Sequence, residues 1–104
     1  MQKTYAGKSV EVDGEGYLVS ADDWSEEVAK EIAKELNIEM PDGGKHWEVL
    51  RWLREQHEGG VEMSIRKVGG SGVVDIKEFY QLFPGGPLKH ASKIAGLKRP
   101  TSCV

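Results

Sequence analysis

The only cysteine of this 104-residue sequence is Cys103, one position before its last residue. A thiolate can act as a nucleophile, a redox sensor, a metal ligand or a carrier of a sulfur atom. With no second cysteine, disulfide chemistry within one chain is excluded. A hydrolase needs a rigidly held nucleophile, whereas a chain end is normally the loosest part of a domain. A mobile thiol suits a carrier that reaches into the active sites of other proteins.

The charges of the sequence are unevenly distributed. Residues 1–83 contain all 17 acidic residues and 10 of the 14 basic residues, which gives them a net charge of −7. Residues 84–104 contain no acidic residue and four basic ones, namely Lys89, Lys93, Lys98 and Arg99. A positive field lowers the pKa of a thiol and attracts an anionic partner, while the carboxylate of Val104 opposes a second negative charge. The sequence leaves the balance of these effects open.

Turn residues and hydrophobic periodicity predict a single domain over residues 1–104, of the α+β class and mainly helical. Short strands at Thr4–Tyr5, Ser9–Val12 and Tyr17–Val19 predict a small hairpin or β-meander within residues 1–20. Helical spacing in the body, residues 21–96, predicts five helices, at about Trp24–Leu36, Lys45–Glu58, Val61–Val68, Val73–Phe83 and from Pro87 to Ala95. Residues 97–104 lack periodicity and contain Pro100, so we expect a mobile arm that carries Cys103.

Two local patterns predict details of these helices. Asp23 followed by Glu26 has the spacing of a capping box, so Asp23 is predicted to cap the first helix. The predicted apolar stripe of the fourth helix consists of Ile76, Phe79, Tyr80 and Phe83.

Other functional classes have weaker support. The two short helices on either side of the glycine-rich turn at 69–72 resemble a helix-turn-helix, but the second offers only Lys77 as a cation against two acids, so DNA binding is not expected. His46 and His57 lack further ligands in a zinc-binding pattern, so neither a metal nor a cofactor is predicted. The sequence has no membrane-spanning apolar run and no signal-peptide pattern, which predicts a cytoplasmic protein without membrane contact.

Several runs across nearly the whole chain resemble the DsrC/TusE family. This family comprises the gamma subunit of dissimilatory sulfite reductase and the single-cysteine sulfurtransferase TusE of tRNA thiolation. The matching runs are Gly14–Leu18, Asp23–Trp24, His46–Arg51 with Leu53–Arg54, Leu82–Pro87, Lys93–Leu97, Pro100 and the terminal Cys103–Val104. The resemblance implies a small β-meander packed on an array of helices with a mobile C-terminal arm.

The resemblance also implies roles for individual residues. The essential cysteine of the family falls on Cys103, which would accept a sulfane sulfur as a persulfide and pass it on. The second cysteine of the sulfite-reductase members falls on Ser92, whose hydroxyl cannot take part in their trisulfide. Arg66, Lys67 and Lys93 match basic positions near the arm and are expected to stabilise the thiolate or persulfide, with ordinary surface cations as the alternative reading.

The function implied is that of a sulfur carrier in a relay for tRNA 2-thiolation. The alternative is a gamma subunit or interaction partner of dissimilatory sulfite reductase that docks its arm. The expected partners are sulfur donor and acceptor proteins, either a tRNA thiolation enzyme or sulfite reductase. Direct contact with tRNA, and whether the protein is a sulfurtransferase enzyme in its own right, stay open.

Overall fold

The computed structural model of the chain describes residues 1–100, so Cys103 lies outside the described residues. The predicted α+β, mainly helical class is confirmed, with one hairpin followed by five α-helices in this part of the chain. The elements are β1 (Gln2–Tyr5), β2 (Lys8–Glu11), α1 (Glu26–Glu35), α2 (Lys45–Glu58), α3 (Ile65–Gly69), α4 (Ile76–Leu82) and α5 (Pro87–Ile94).

The hairpin is smaller than the predicted meander. Strands β1 and β2 pair antiparallel, and the two residues that join them, Ala6 and Gly7, have φ values of 53° and 75°. Positive φ at both positions matches the twist of a hairpin turn. The predicted third strand is reduced to one bridge, between Val12 and Leu18, because the chain turns away immediately afterwards at Ser20 into a short 3₁₀ turn.

The predicted cap of the first helix is wrong. Asp23 lies in the 3₁₀ turn Ala21–Asp23, and Trp24 after it is extended, with φ −79° and ψ 143°. A helix cannot run through an extended residue, so α1 starts later, where the Ser25 side chain accepts a hydrogen bond from the Val28 amide at 3.2 Å. A serine oxygen in this position satisfies one of the free amides at the helix start.

Two further helices also start later than predicted, again because of capping. The Val61 amide donates to the Gln56 carbonyl and closes α2, so α3 begins only after Ser64, whose side chain accepts from the Lys67 amide. Helix α4 begins after Asp75, whose carboxylate caps the Glu78 amide at 2.7 Å.

Helix α5 is the centre of the core and packs against α1, α2 and α4. Four of its apolar residues are completely buried, namely Leu88, Ala91, Ile94 and the C-cap Ala95. The predicted stripe of α4 is half right: Phe79 and Phe83 are buried, but Ile76 and Tyr80 are each 47% exposed. Because α4 lies at the side of the bundle, against α3 and α5, only one face of it is covered. In residues 1–100, no helix combines the length and the apolar character needed to cross a membrane.

Candidate functional site

The chain leaves α5 in a fixed direction through residues 95–97, which we call the arm root. The Gly96 amide donates to the Lys93 carbonyl at 3.2 Å, and the Leu97 amide donates to the Ser92 carbonyl at 2.9 Å. This pair of bonds is a Schellman motif, which requires a left-handed residue, and Gly96 has φ 74°. Leu97 is only 6% exposed. The start of the predicted arm is therefore packed into the body.

Two side chains support the arm root from outside α5. The Trp24 indole donates to the Ile94 carbonyl at 2.7 Å, and Arg54 donates to the Ala95 carbonyl at 2.6 Å. The Arg54 guanidinium also lies 4.1 Å from the centre of the Trp24 ring. Burial lowers the pKa of Arg54, but a guanidinium stays charged and complements the negative end of the helix. Apart from the family matches at Trp24 and Arg54, no sequence pattern indicates this role.

A pocket of about 190 Å³ lies beside the arm root. Its walls come from the end of α2, the loop after α2, one residue of α5, and the first residues of the arm. The lining residues are His57, Val61, Glu62, Met63, Ser92, Leu97, Lys98, Arg99 and Pro100. We call it the arm pocket. Ser92, at the position of the missing second cysteine, is 4% exposed and forms part of its wall.

The three predicted stabilising cations do not line the arm pocket. The Lys93 ammonium is 5.7 Å from the centre of the Tyr17 ring. The Lys67 ammonium donates to the Glu62 carbonyl at 2.7 Å, at the edge of the arm pocket, and Arg66 is exposed on α3. None of the three is among the lining residues. Their action on Cys103 stays a prediction, because Cys103 is outside the described residues.

The sequence patterns assign no functional role to two residues at this site, His57 and Glu15. His57, for which the sequence predicts no metal-binding role, lines the arm pocket with Lys98 and Arg99. Arg99 also forms an ion pair with Glu15, at 2.9 Å between Nη1 and Oε1. The only available signal for His57 was its position close to the end of α2. A contact between residues 15 and 99 leaves no local signal in a sequence.

Tyr17 connects the N-terminal region to α5 near this site. It is 1% exposed, and its hydroxyl lies 3.4 Å from the Lys89 carbonyl, to which it donates. Burial, reinforced by the negative charge of Glu15, raises the pKa of Tyr17. The phenol therefore stays protonated at neutral pH and remains a donor.

The described residues define what chemistry the site can support. No cluster of histidine, cysteine and acidic side chains within residues 1–100 could hold a metal ion. Cys103 follows Pro100, a residue of the pocket wall, by three positions. At no more than about 3.6 Å per residue, three residues of chain span at most about 11 Å. The site that the structure describes is therefore a small pocket whose lining includes two arm cations, Lys98 and Arg99.

Known proteins resemble this chain over its full length. Residues 4–104 match the family described as DsrC like protein. The sulfurtransferase TusE of Photorhabdus laumondii is 34% identical over 108 aligned residues, with 96% of each chain covered. The NMR structure of Allochromatium vinosum DsrC is 38% identical with a TM-score of 0.81, and both chains are covered completely. The oxidized gamma-subunit of the dissimilatory sulfite reductase (DsrC) from Archaeoglobus fulgidus is 33% identical, also with complete coverage of both chains, and has a TM-score of 0.82. The present chain therefore belongs to the DsrC family.

Proposed function

We propose that this protein is a sulfur carrier in which Cys103 takes up a sulfane sulfur as a persulfide and delivers it to an acceptor protein. The observation that carries the proposal is a lone thiol tethered three residues beyond the arm pocket, on a chain whose root is fixed by Gly96 and Leu97. The likeness to the sulfurtransferase TusE, which covers 96% of both chains, supports the same function.

The chemistry needs only a thiolate and conserves electrons at each step. In loading, the Cys103 thiolate attacks the outer sulfur of a donor persulfide; a new S–S bond forms, and the donor S–S bond breaks to release the donor thiolate. In discharge, an acceptor thiolate attacks the outer sulfur on Cys103 and releases the Cys103 thiolate. Both steps follow thiol–disulfide exchange and need no redox cofactor. Lys98 and Arg99, five and four positions before Cys103, favour its anionic forms. We propose the same contribution for Arg66, Lys67 and Lys93 once the arm is positioned for transfer.

The second candidate function is that of a sulfite-reductase gamma subunit, favoured by the likeness to the Archaeoglobus fulgidus protein. A redox cycle that joins two cysteines is not available here, because residue 92 is a serine and this serine is 4% exposed in the wall of the arm pocket. A docking role without sulfur transfer would survive the replacement of Cys103 with serine, whereas a carrier would lose its activity.

The partners we propose are a sulfur donor protein and a sulfur acceptor protein, with an enzyme of tRNA 2-thiolation as the final acceptor. In this scheme the entire chain, 1–104, acts as one domain in the cytoplasm, and residues 97–104 present the sulfur. No metal and no organic cofactor takes part in either transfer step.

The proposal predicts that sulfur delivery in cells depends on Cys103. We expect the wild-type protein to restore 2-thiouridine in the tRNA of a bacterium whose own single-cysteine family member has been deleted. Cys103→Ser should give only the level of the deletion strain, and Ser102→Ala, the adjacent control, should match the wild type. Mass spectrometry of tRNA nucleosides measures the outcome. Equal restoration by Cys103→Ser and wild type would contradict the assigned role of Cys103.

A further inference from the structure

We propose that Glu15 is a positioning residue for the sulfur-carrying arm and acts through Arg99. The ion pair between them, at 2.9 Å, joins the turn after β2 to the first residues beyond the arm root. Within residues 97–100, the structure shows this one ion pair. The inference rests on the proposed function, because it assigns Glu15 a part in presenting Cys103.

The turn that carries Glu15 is well ordered by its own hydrogen bonds. The Asp13 carboxylate accepts from the Glu15 amide at 2.9 Å and from the Tyr17 amide at 3.0 Å, and the Gly16 amide donates to the Asp13 carbonyl at 3.0 Å. Gly16 has φ 88°, a conformation that glycine adopts without strain. Since these bonds enclose residue 15, its carboxylate extends from a defined backbone position.

The same turn is fastened to α5, the helix from which the arm emerges. Tyr17 is buried next to it and donates to the Lys89 carbonyl, and the Lys93 ammonium lies over the Tyr17 ring. On the other side of the ion pair, buried Leu97 lies two residues before Arg99. The backbone segments that carry Glu15 and Arg99 are therefore both attached to α5. Forming the ion pair requires little additional ordering of the backbone.

The exposure of the pair determines its strength. The Arg99 side chain is 66% exposed and that of Glu15 is 50% exposed. Pairs of this kind shift a conformational equilibrium by up to about fivefold and are screened by salt. The contact therefore favours one exit direction for the arm without locking it. A docking protein with its own carboxylate can take over Arg99 from Glu15.

Backbone and arginine side-chain NMR relaxation, recorded at low ionic strength, tests this inference. In Glu15→Gln, we expect the order parameter of the Arg99 amide to fall and hydrogen exchange of the Arg99 guanidinium, which donates to Glu15, to become about two- to fivefold faster. Glu11→Gln is the matched control, because Glu11 pairs with the N-terminal amine at 2.8 Å on the same hairpin. This control should leave Arg99 unchanged, and high salt should remove the difference between Glu15→Gln and wild type.

Exchanging the charges of residues 15 and 99 distinguishes positioning of the arm from a general effect on the fold. Arg99→Glu should loosen residue 99 by itself, and the double variant with Glu15→Arg should restore its order, since the pair is rebuilt with reversed charges. Unchanged Arg99 dynamics in Glu15→Gln, or no restoration in the double variant, would overturn the inference. Loading of wild-type protein by glutathione persulfide, measured separately by mass, shows whether the proposed function itself fails.

Discussion

Replacing Ser92 with cysteine is expected to give a protein that oxidises to an intramolecular disulfide with Cys103, which the wild type cannot form. Residue 92 lies in the wall of the arm pocket, and Pro100, three residues before Cys103, lies in the same wall. A tether of at most about 11 Å allows the Cα separation of about 4.4–6.8 Å that a disulfide needs. The disulfide would close a loop from residue 92 to residue 103. A loop of this length restricts the unfolded chain and stabilises the folded state of the oxidised form by about 3 kcal/mol relative to the reduced form.

Mild oxidation with diamide, followed by intact mass measurement and thiol counting, checks this expectation. Ser92→Cys should lose about two mass units and both free thiols while it remains monomeric. Ser9→Cys, with its cysteine at an exposed position of strand β2, is the control and should give only intermolecular disulfides. Absence of the intramolecular disulfide in Ser92→Cys would show that the arm does not reach the pocket. An intramolecular disulfide in the control would show that the arm does not favour the pocket over other surfaces.

Gly96→Ala is expected to destabilise the fold severely, by roughly 3 kcal/mol or more. Gly96 combines a left-handed conformation, φ 74°, with close contact to a neighbour: an added Cβ would lie 2.5 Å from Trp24 Cδ1. The backbone strain costs about 1–2 kcal/mol, and the overlap with Trp24 adds a repacking cost of similar or larger size. Trp24 cannot move freely, because it donates to the Ile94 carbonyl and lies under Arg54.

Gly60→Ala provides a matched control for this prediction. Gly60 ends α2 in the same Schellman geometry and also has φ 74°, but a Cβ added there would have no other atom within 4 Å. Gly60→Ala should lower the free energy of unfolding only by the backbone strain, about 1–2 kcal/mol. Urea unfolding measures both free energies, and equal losses would show that the contact between Gly96 and Trp24 contributes nothing.

The sequence predicted the helices well where burial alone determines them. Apolar residues at helical spacing placed α1, α2 and α5 to within a few residues, because each of these helices buries one continuous face. The predicted first residue of a helix was wrong where a side-chain cap, rather than the spacing of apolar residues, determines where the helix begins. Ser25, Ser64 and Asp75 start their helices, and the apolar residues before α3 and α4 do not.

The candidate site was predictable only in part. Cys103 and Ser92 follow from residue type and family resemblance, since a lone thiol and a missing one are visible in the sequence. Three contacts join residues that lie 41 to 84 positions apart in the sequence. They are the support of the arm root by Trp24 and by Arg54, and the ion pair of Glu15 with Arg99. Such contacts depend on how the helices pack, which local patterns do not specify.

Whether Cys103 carries sulfur can be measured as the intact mass of the protein after incubation with a persulfide donor and removal of excess reagent. We expect one added sulfur atom, about 32 Da, on the wild type, its loss on reduction, and no addition to Cys103→Ser. A wild-type protein that gains no sulfur, or a Cys103→Ser variant that gains as much as the wild type, would contradict the assignment of Cys103 as the carrier.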